Sequence, residues 1–498
     1  MKKSPLRPKT PGSRKPSGPR PSSPRAGDAR PAKKLTDRQK AAAARRAAMS
    51  PEERRTHDEN QARNPHMAPR VPGQIRVTAL VIDELTAALS TVLKLDGPAD
   101  VLMSLYFRRN PHLGSRDRSM IAEGIFYAMR RLATLSWMMQ PAVPARVPRM
   151  AALVTLARQY GRDALDERAV GRDAKPLDNM LSVKMKLAPA SVQAEVSPWL
   201  YDAVTAQYPD ANALFESIKE SAPLDLRVNL LKAKREEILE DLNSHGVRAE
   251  ATPYSPEGVR VFTKPNLTAW PIFRDGKIDV QDEGSQLIAR LVQPRRGEMV
   301  VDFCAGAGGK TLALGALMRS TGRLYAFDVN EKRLAALTPR MRRAGLSNVH
   351  PVAIRNEADL RVKRLNGKVD RVLVDAPCSG TGTLRRNPDL KWRFDQEEMA
   401  RINEIQHAVI RAAAKMLKRG GRLVYATCSL LEQENQQVIE DFLAEHPEFE
   451  LVSAPEVLAA QGVKIESEYV ERFGPYFVML PHLNNTDGFF GAVLERID

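Results

Sequence analysis

From about Leu291 to the C-terminus, apolar runs of strand length alternate with helical pattern, and this rhythm constrains the fold more than any other feature. The runs are MVVDFC, RLYAFDV, DRVLVDAP, RLVYATCS and FFGAVLER. Continuous Val, Leu and Phe runs separated by helices are the mark of a parallel sheet buried on both faces. The spacing predicts an α/β, doubly wound, Rossmann-like domain over residues 291–498. Upstream the pattern changes. Between Val77 and Leu187, apolar residues recur every three or four positions, as in TALVIDELTAALSTVL and DRSMIAEGIFYAMRRLATLSWMM. That periodicity predicts a helical bundle over residues 76–195. Residues 196–290 mix signals: LDLRVNLLKA reads as a strand, KREEILEDLNSHG as a helix ending at Gly246, and VRAEATPYSPEGVRV as a hairpin. We expect a small α+β domain there. Residues 1–75 are rich in Pro, Arg, Lys and Ser and cannot bury enough apolar surface to order, so we expect a disordered basic tail. A short charged helix from Thr36 to Arg54 is compatible with its Ala and Arg content.

Charge and cysteine usage narrow the function. The 498 residues carry a formal net charge of +16, unevenly placed: eleven of the 76 Lys/Arg but only one of the 60 acids precede Leu35. A basic chain of this kind suits a polyanionic partner. The three cysteines, Cys304, Cys378 and Cys428, are too few for a disulfide framework and belong to no Cys/His cluster. We therefore expect a reducing, cytoplasmic setting and no metal site. No apolar run reaches the roughly 18 residues of a membrane span, and a monomer is expected.

Four motifs carry chemistry. In VVDFCAGAGGKT, a strand ends at Phe303, a glycine-rich loop follows, and a helix starts near Lys310. Glycines let the backbone approach a ligand at the carboxyl end of a strand. A P-loop would need Gly where Cys304 stands, and the dinucleotide pattern lacks its last Gly. S-adenosylmethionine carries no phosphate and needs only the loop, Cys304, Ala305, Gly306, Ala307, Gly308, Gly309 and Lys310, plus an acid for its ribose. Asp328, at the end of RLYAFDV and about twenty residues on, is placed as that acid. A turn without ligand, and a helix-capping acid, are the plain alternatives. In DRVLVDAPCSGTGTLRRNP, Asp375 and Cys378 flank Pro377 just past a strand, and Arg385 and Arg386 suit phosphate contacts or a solvated loop. In GGRLVYATCSLLEQEN, another strand ends in Cys428.

All three thiols thus fall at strand ends of one domain, where small core residues would not all gather. Thiols suit methylation at carbon 5 of cytosine. Addition of a thiolate at carbon 6 makes carbon 5 nucleophilic, whereas methylation of oxygen or exocyclic nitrogen needs no such step. A thiolate near neutral pH calls for some lowering of the thiol pKa, and Asp375 could hold the N3/N4 edge of the base. A nicotinamide oxidoreductase leaves the thiols unexplained. A non-catalytic ribosome-assembly factor leaves Asp375, Cys378 and Cys428 unexplained.

The ordered set RVNLLK, QDEGSQL, DAPCSGTG, RRNPDLKW, YATCS and TDGFF resembles the RsmB/Nop-type (Nop/Sun) family of RNA cytosine-5 methyltransferases over residues 198–498. The resemblance implies Cys428 as covalent nucleophile, Cys378 as the thiol that aids product release, and Asp375 as a contact to the base or to the methionine end of the cofactor. It also implies the glycine loop and Asp328 as the S-adenosylmethionine site. Where the family has a GDA-like stretch near adenine, this chain reads RNEADL, which offers Glu357, with Asp359 nearby. The loop reads CAGAGGKT where the family more often has CAAPGGKT. Upstream, LGSRDRSMIAEGIFYAMRR resembles a NusB-like helical domain, and residues 196–290 resemble an RRM-like domain. These point to 16S ribosomal RNA as substrate, with transfer RNA as the alternative. Both domains are expected to grip RNA by shape and phosphates, presenting an unstacked cytosine.

Overall fold

A computed structural model describes residues 75–263 and 266–498. The basic tail up to Gly73 and the helix expected at Thr36–Arg54 lie outside them. From Ala79 to Leu181 the chain is helical, and its apolar stripes close a core of their own that includes Ile82, Leu85, Ile121, Ile125, Leu153 and Leu177. Gly124 is obligatory there, because a Cβ would lie 2.8 Å from a methyl of Leu85. The apolar residues of helices Ala190–Ala194, Pro198–Gln207 and Ala211–Ile218 pack with the large C-terminal core, while Glu195 after the first of them accepts N–H bonds from Ala133 and Thr134 of the bundle.

Four short strands follow in a wholly antiparallel sheet: β1 (Leu224–Val228), β2 (Ala249–Ala251), β3 (Gly258–Val261) and β4 (Ile278–Val280), in the order β2-β3-β1-β4. The expected strand, helix (Arg235–Ser244) and hairpin are all present, and β4 is an additional strand. One face of the sheet carries Leu226, Val228, Val259, Val261 and Ile278 into a small core with Ile238 and Leu242 of the helix.

The remaining strands are β5 (Met299–Phe303), β6 (Arg323–Asp328), β7 (Val349–Ala353), β8 (Val369–Asp375), β9 (Leu417–Thr427), β10 (Phe449–Val452), β11 (Phe477–Met479) and β12 (Phe489–Arg496). They form one sheet ordered β10-β12-β9-β8-β5-β6-β7, with β11 also on β12. The Rossmann-like class holds, but the sheet is mixed. Strands β5 to β9 pair in parallel, whereas β12 runs antiparallel to β9, and β10 and β11 run antiparallel to β12. A strand covered on both faces reads as a continuous apolar run whichever way it points, so direction is invisible in FFGAVLER. Strand β5 sits mid-sheet between β8 and β6. Its carboxyl end, with those of β8 and β9, is where the topology reverses and ligands of open α/β sheets bind.

Candidate active site

The glycine-rich loop leaves β5 with a backbone that ordinary residues avoid. Cys304, Gly306 and Gly308 all have positive φ, at 72°, 57° and 84°. Ala305 donates its N–H to Phe327 O at 2.8 Å, and Gly308 donates to Ala305 O at 2.9 Å, closing a tight turn into the helix Gly309–Leu317. A Cβ at Gly306 would fall 2.8 Å from the Arg333 guanidinium, and one at Gly308 only 2.2 Å from Leu337. A non-glycine residue held in a left-handed conformation, as Cys304 is, signals strain that the surroundings enforce, and such strain gathers at functional sites.

Asp328, at the end of β6, faces this loop. Its two carboxylate oxygens accept N–H bonds from Gly306 at 2.7 Å and from Asn330 at 2.6 Å. Each oxygen keeps a lone pair for a ligand hydroxyl, so Asp328 can shape the loop and still take a ribose. Beyond β7, Asp359 is committed as helix cap, accepting from Arg361 and Arg355. Half-buried Glu357 stands two positions before it. The cradle therefore fits an adenosine-bearing cofactor without phosphate: a close backbone, a diol-binding acid and no bulky side chain in the turn.

The two thiols meet. Ala376 donates to Ala426 O at 2.9 Å, extending the parallel pairing of β8 and β9 past their ends. This brings Cys378 Sγ to 3.4 Å from Cys428 Sγ. Hydrogen bonding with Cys428, then burial, pushes the Cys378 thiol well above its ordinary range. A thiol so raised stays protonated near neutral pH, which suits a partner to the nucleophile and not the nucleophile itself. Cys304 is likewise pushed up, by burial and then by Asp328, which suits a residue that contributes backbone and not thiolate.

Asp375 pairs with Lys310 Nζ at 2.8 Å. Burial works against the Lys310 charge, but Asp375, and after it Cys428, hold the ammonium above its usual value. Lys310 also lies 5.6 Å from the centroid of the Phe489 ring. The acid that the sequence assigns to the base edge therefore shares its charge with the last residue of the glycine loop, close to the Cys428 sulfur. Cys378 also lines an open cleft of about 350 Å³ with Leu390, Arg393 and Phe394.

Arg385 and Arg386 are not phosphate ligands. Arg385 is 6% exposed and spends its donors on Ser221 O, Thr486 O and Asn485. Arg386 bridges Asp487 at 2.5 Å and Asp282 at 2.8 Å, welding the QDEGSQL and TDGFF segments beside the site. A charged doublet in a loop carries no local sign of burial, which is why the sequence pointed outward. Four further residues escaped sequence reasoning. Asp302 on β5 is buried and accepts from Thr311 Oγ1 at 2.5 Å. Arg340 donates to Ala307 O at 2.6 Å and to Asp279 of β4 at 2.7 Å, tying the glycine loop to the small sheet. Lys391, 1% exposed, donates to Arg130 O at 3.0 Å, and Trp392 donates to Met129 O at 3.2 Å, docking the site's loop on the end of helix Ser115–Arg130. A cation at a helix C-terminus is electrostatically favoured.

Residues 289–495 match the family described as 16S rRNA methyltransferase RsmB/F, and residues 196–268 match the ferredoxin-like domain of RsmF/B-like methyltransferases. A ribosomal RNA small subunit methyltransferase B of Yersinia pseudotuberculosis is 33% identical over 368 residues, 73% of this chain and 77% of that protein. The chain belongs to the RsmB/F methyltransferase family. Other RsmB/F relatives match over less of their length. A probable ribosomal RNA small subunit methyltransferase B of Bacillus subtilis is 33% identical over 54% of this chain and 59% of its own. Its counterpart from Synechocystis is 36% identical over 58% and 63%. The chain thus spans about three fifths of these two curated relatives. Among solved structures, PH0851 superposes with a TM-score of 0.70 at 26% identity, covering 85% of this chain and all of that one. A methyltransferase homologue from Pyrococcus horikoshii gives 0.53 at 28% identity over 63% of this chain and all of its own. The ferredoxin-like match agrees with the α+β expectation for the small sheet. No helix among the described residues is long and apolar enough to cross a membrane. Among the same residues no group of three or more His, Cys, Asp or Glu could hold a metal ion.

Proposed function

We propose that this chain methylates carbon 5 of a cytosine in 16S ribosomal RNA, with S-adenosylmethionine as donor, Cys428 as nucleophile and Cys378 as the release thiol. One observation carries this reading: the sulfurs of Cys378 and Cys428 lie 3.4 Å apart at the ends of adjacent strands. The Asp375–Lys310 pair stands beside them. When bound, S-adenosylmethionine supplies the electrophilic methyl group. The protein's task is to make carbon 5 nucleophilic. The Cys428 thiolate adds to carbon 6, and the electron pair of the 5,6 double bond becomes available at carbon 5. Lys310 lends positive charge to the thiolate, and Asp375 faces the position of the base edge. The carbon 5 proton then passes to a base, the electron pair of that carbon–hydrogen bond re-forms the 5,6 double bond, and the carbon–sulfur bond breaks with its pair returning to Cys428 as thiolate, beside Cys378 as the release thiol. The relatives' names support ribosomal RNA as the substrate, and the helical region and small sheet are read as its NusB-like and RRM-like grips.

The test is methyl transfer from radiolabelled donor to 16S RNA. Cys428→Ala is expected to lose turnover almost entirely. Cys378→Ala is expected to accumulate a covalent protein–RNA species on denaturing gels. Full activity in Cys428→Ala removes the assigned nucleophile, and absence of the slow band removes the role of Cys378.

A further inference from the structure

One buried carboxylate clasps both cysteine loops. Glu434 has no exposed surface. Its Oε1 accepts the N–H of Ser379 at 2.7 Å, and its Oε2 accepts the Ser379 hydroxyl at 2.6 Å and the Ser429 hydroxyl. Ser379 directly follows Cys378, and Ser429 directly follows Cys428. Gln406 completes the set: its Nε2 donates to Glu434 at 3.1 Å and to Pro377 O, just before Cys378, at 2.8 Å. The backbone at Glu434 is held as well, since Tyr425 donates its hydroxyl to the Glu434 main-chain carbonyl at 2.7 Å. A carboxylate this enclosed persists because its donors replace water, and its charge acts in a medium that screens poorly.

The charges around the thiols are asymmetric. Glu434 and its partner Gln406 reach the main chain on both sides of Cys378, at Ser379 N and Pro377 O, but reach the Cys428 loop only through the Ser429 hydroxyl. Behind the Cys428 hydrogen bond and burial, the Glu434 charge also opposes ionisation of Cys378, whereas Cys428 adds to Asp375 in holding the Lys310 charge. Two equal thiols between a cation and an anion become unequal, because ionisation is favoured beside the cation and opposed beside the anion.

We propose that Glu434 is the positioning residue that makes the two thiols inequivalent, holding Cys378 in register as the proton-carrying partner of Cys428. This deepens the reading of Cys428 as nucleophile and rests on it. The carboxylate touches neither base nor donor. It acts through Ser379 and Ser429, and through its charge.

The experiment uses the full-length protein without RNA. Brief treatment with iodoacetamide at neutral pH, followed by peptide mass spectrometry, gives the ratio of labelling at Cys428 to labelling at Cys378. In the wild type Cys428 is expected to react faster. Glu434→Gln is expected to lower that ratio about tenfold, the factor that one pKa unit of differential charge interaction supplies. Methyl transfer by the same variant should lose kcat with little change in KM for the donor. Glu434→Asp, which keeps the charge, should recover most of the ratio. If thermal melts show Glu434→Gln to be unfolded, Ser379→Ala, which removes the hydroxyl bond to Glu434 beside Cys378, serves as the probe and should likewise lower the ratio. An unchanged ratio in folded Glu434→Gln, or in Ser379→Ala where Glu434→Gln is unfolded, overturns the proposal. Full turnover in Cys428→Ala instead overturns the nucleophile assignment, whatever the ratio shows, so the two failures are distinguishable.

Discussion

Gly308→Ala tests the glycine-rich loop against a control that the chain itself provides. Gly308 and Gly297 have the same φ of 84°. An alanine at either site bears the left-handed penalty, roughly 1–2 kcal/mol. At Gly297 a Cβ meets nothing within 4 Å, so that penalty is the whole cost. At Gly308 the Cβ falls 2.2 Å from Leu337 Cδ1 and 3.0 Å from its Cγ. Leu337 has no exposed surface and belongs to a packed core, so it cannot swing away. Overpacking of this kind adds about 1–3 kcal/mol. Either the protein loses that stability, or the loop shifts and cofactor affinity falls. At about 1.4 kcal/mol per tenfold, the second route weakens S-adenosylmethionine binding roughly tenfold to a hundredfold. Urea unfolding and calorimetric titration with the donor, run on both variants, divide the cost between the two routes. Gly297→Ala should bind the donor as the wild type does. The reasoning is refuted if Gly308→Ala matches Gly297→Ala in both stability and affinity.

Two further outcomes follow from buried charges. Arg386→Met strips Asp282 and Asp487 of their shared counter-ion and should cost about 3–5 kcal/mol in urea unfolding. The salt dependence of RNA binding should stay as in the wild type; a slope reduced by about one would restore a phosphate role. Burial pushes Asp302 up to about 7 from the ordinary 3.8, against the opposing Thr311 hydrogen bond. The folded protein therefore keeps a proton that the unfolded chain releases between about pH 4 and 7. The contribution of Asp302 is most favourable below that window and declines as pH rises through it, by up to about 4 kcal/mol. Asp302→Asn should remove this slope, and a wild-type-minus-variant stability difference that stays flat from pH 4 to 7 would contradict the assignment.

Much of the site was legible because it is local. The glycine loop announces itself by composition, and each thiol ends an apolar run. The helical periodicity of residues 79–181 and the turn chemistry of the hairpin at β2 and β3 are likewise read over a few residues. Nonlocal features were hidden. Arg385 and Arg386 look solvated until the fold brings Thr486 and Ser221 to the first, and Asp282 and Asp487 to the second, from a hundred residues or more away. Glu434 lies in a stretch of mixed acids and amides, and its clasp exists only because two loops some fifty residues apart converge on it. The work of Lys391 and Trp392 depends on a helix end about 260 positions earlier in the chain.

By itself, the sequence determined the class of fold, the strand-end placement of the three thiols and the backbone that the glycine loop must adopt, since propensity, periodicity and turn geometry act between near neighbours. Tertiary structure alone decided the direction of β12, the 3.4 Å approach of the two sulfurs, and which charges are buried and paired. Those properties depend on which distant segments pack together, and electrostatic energies follow distance in space, not separation along the chain.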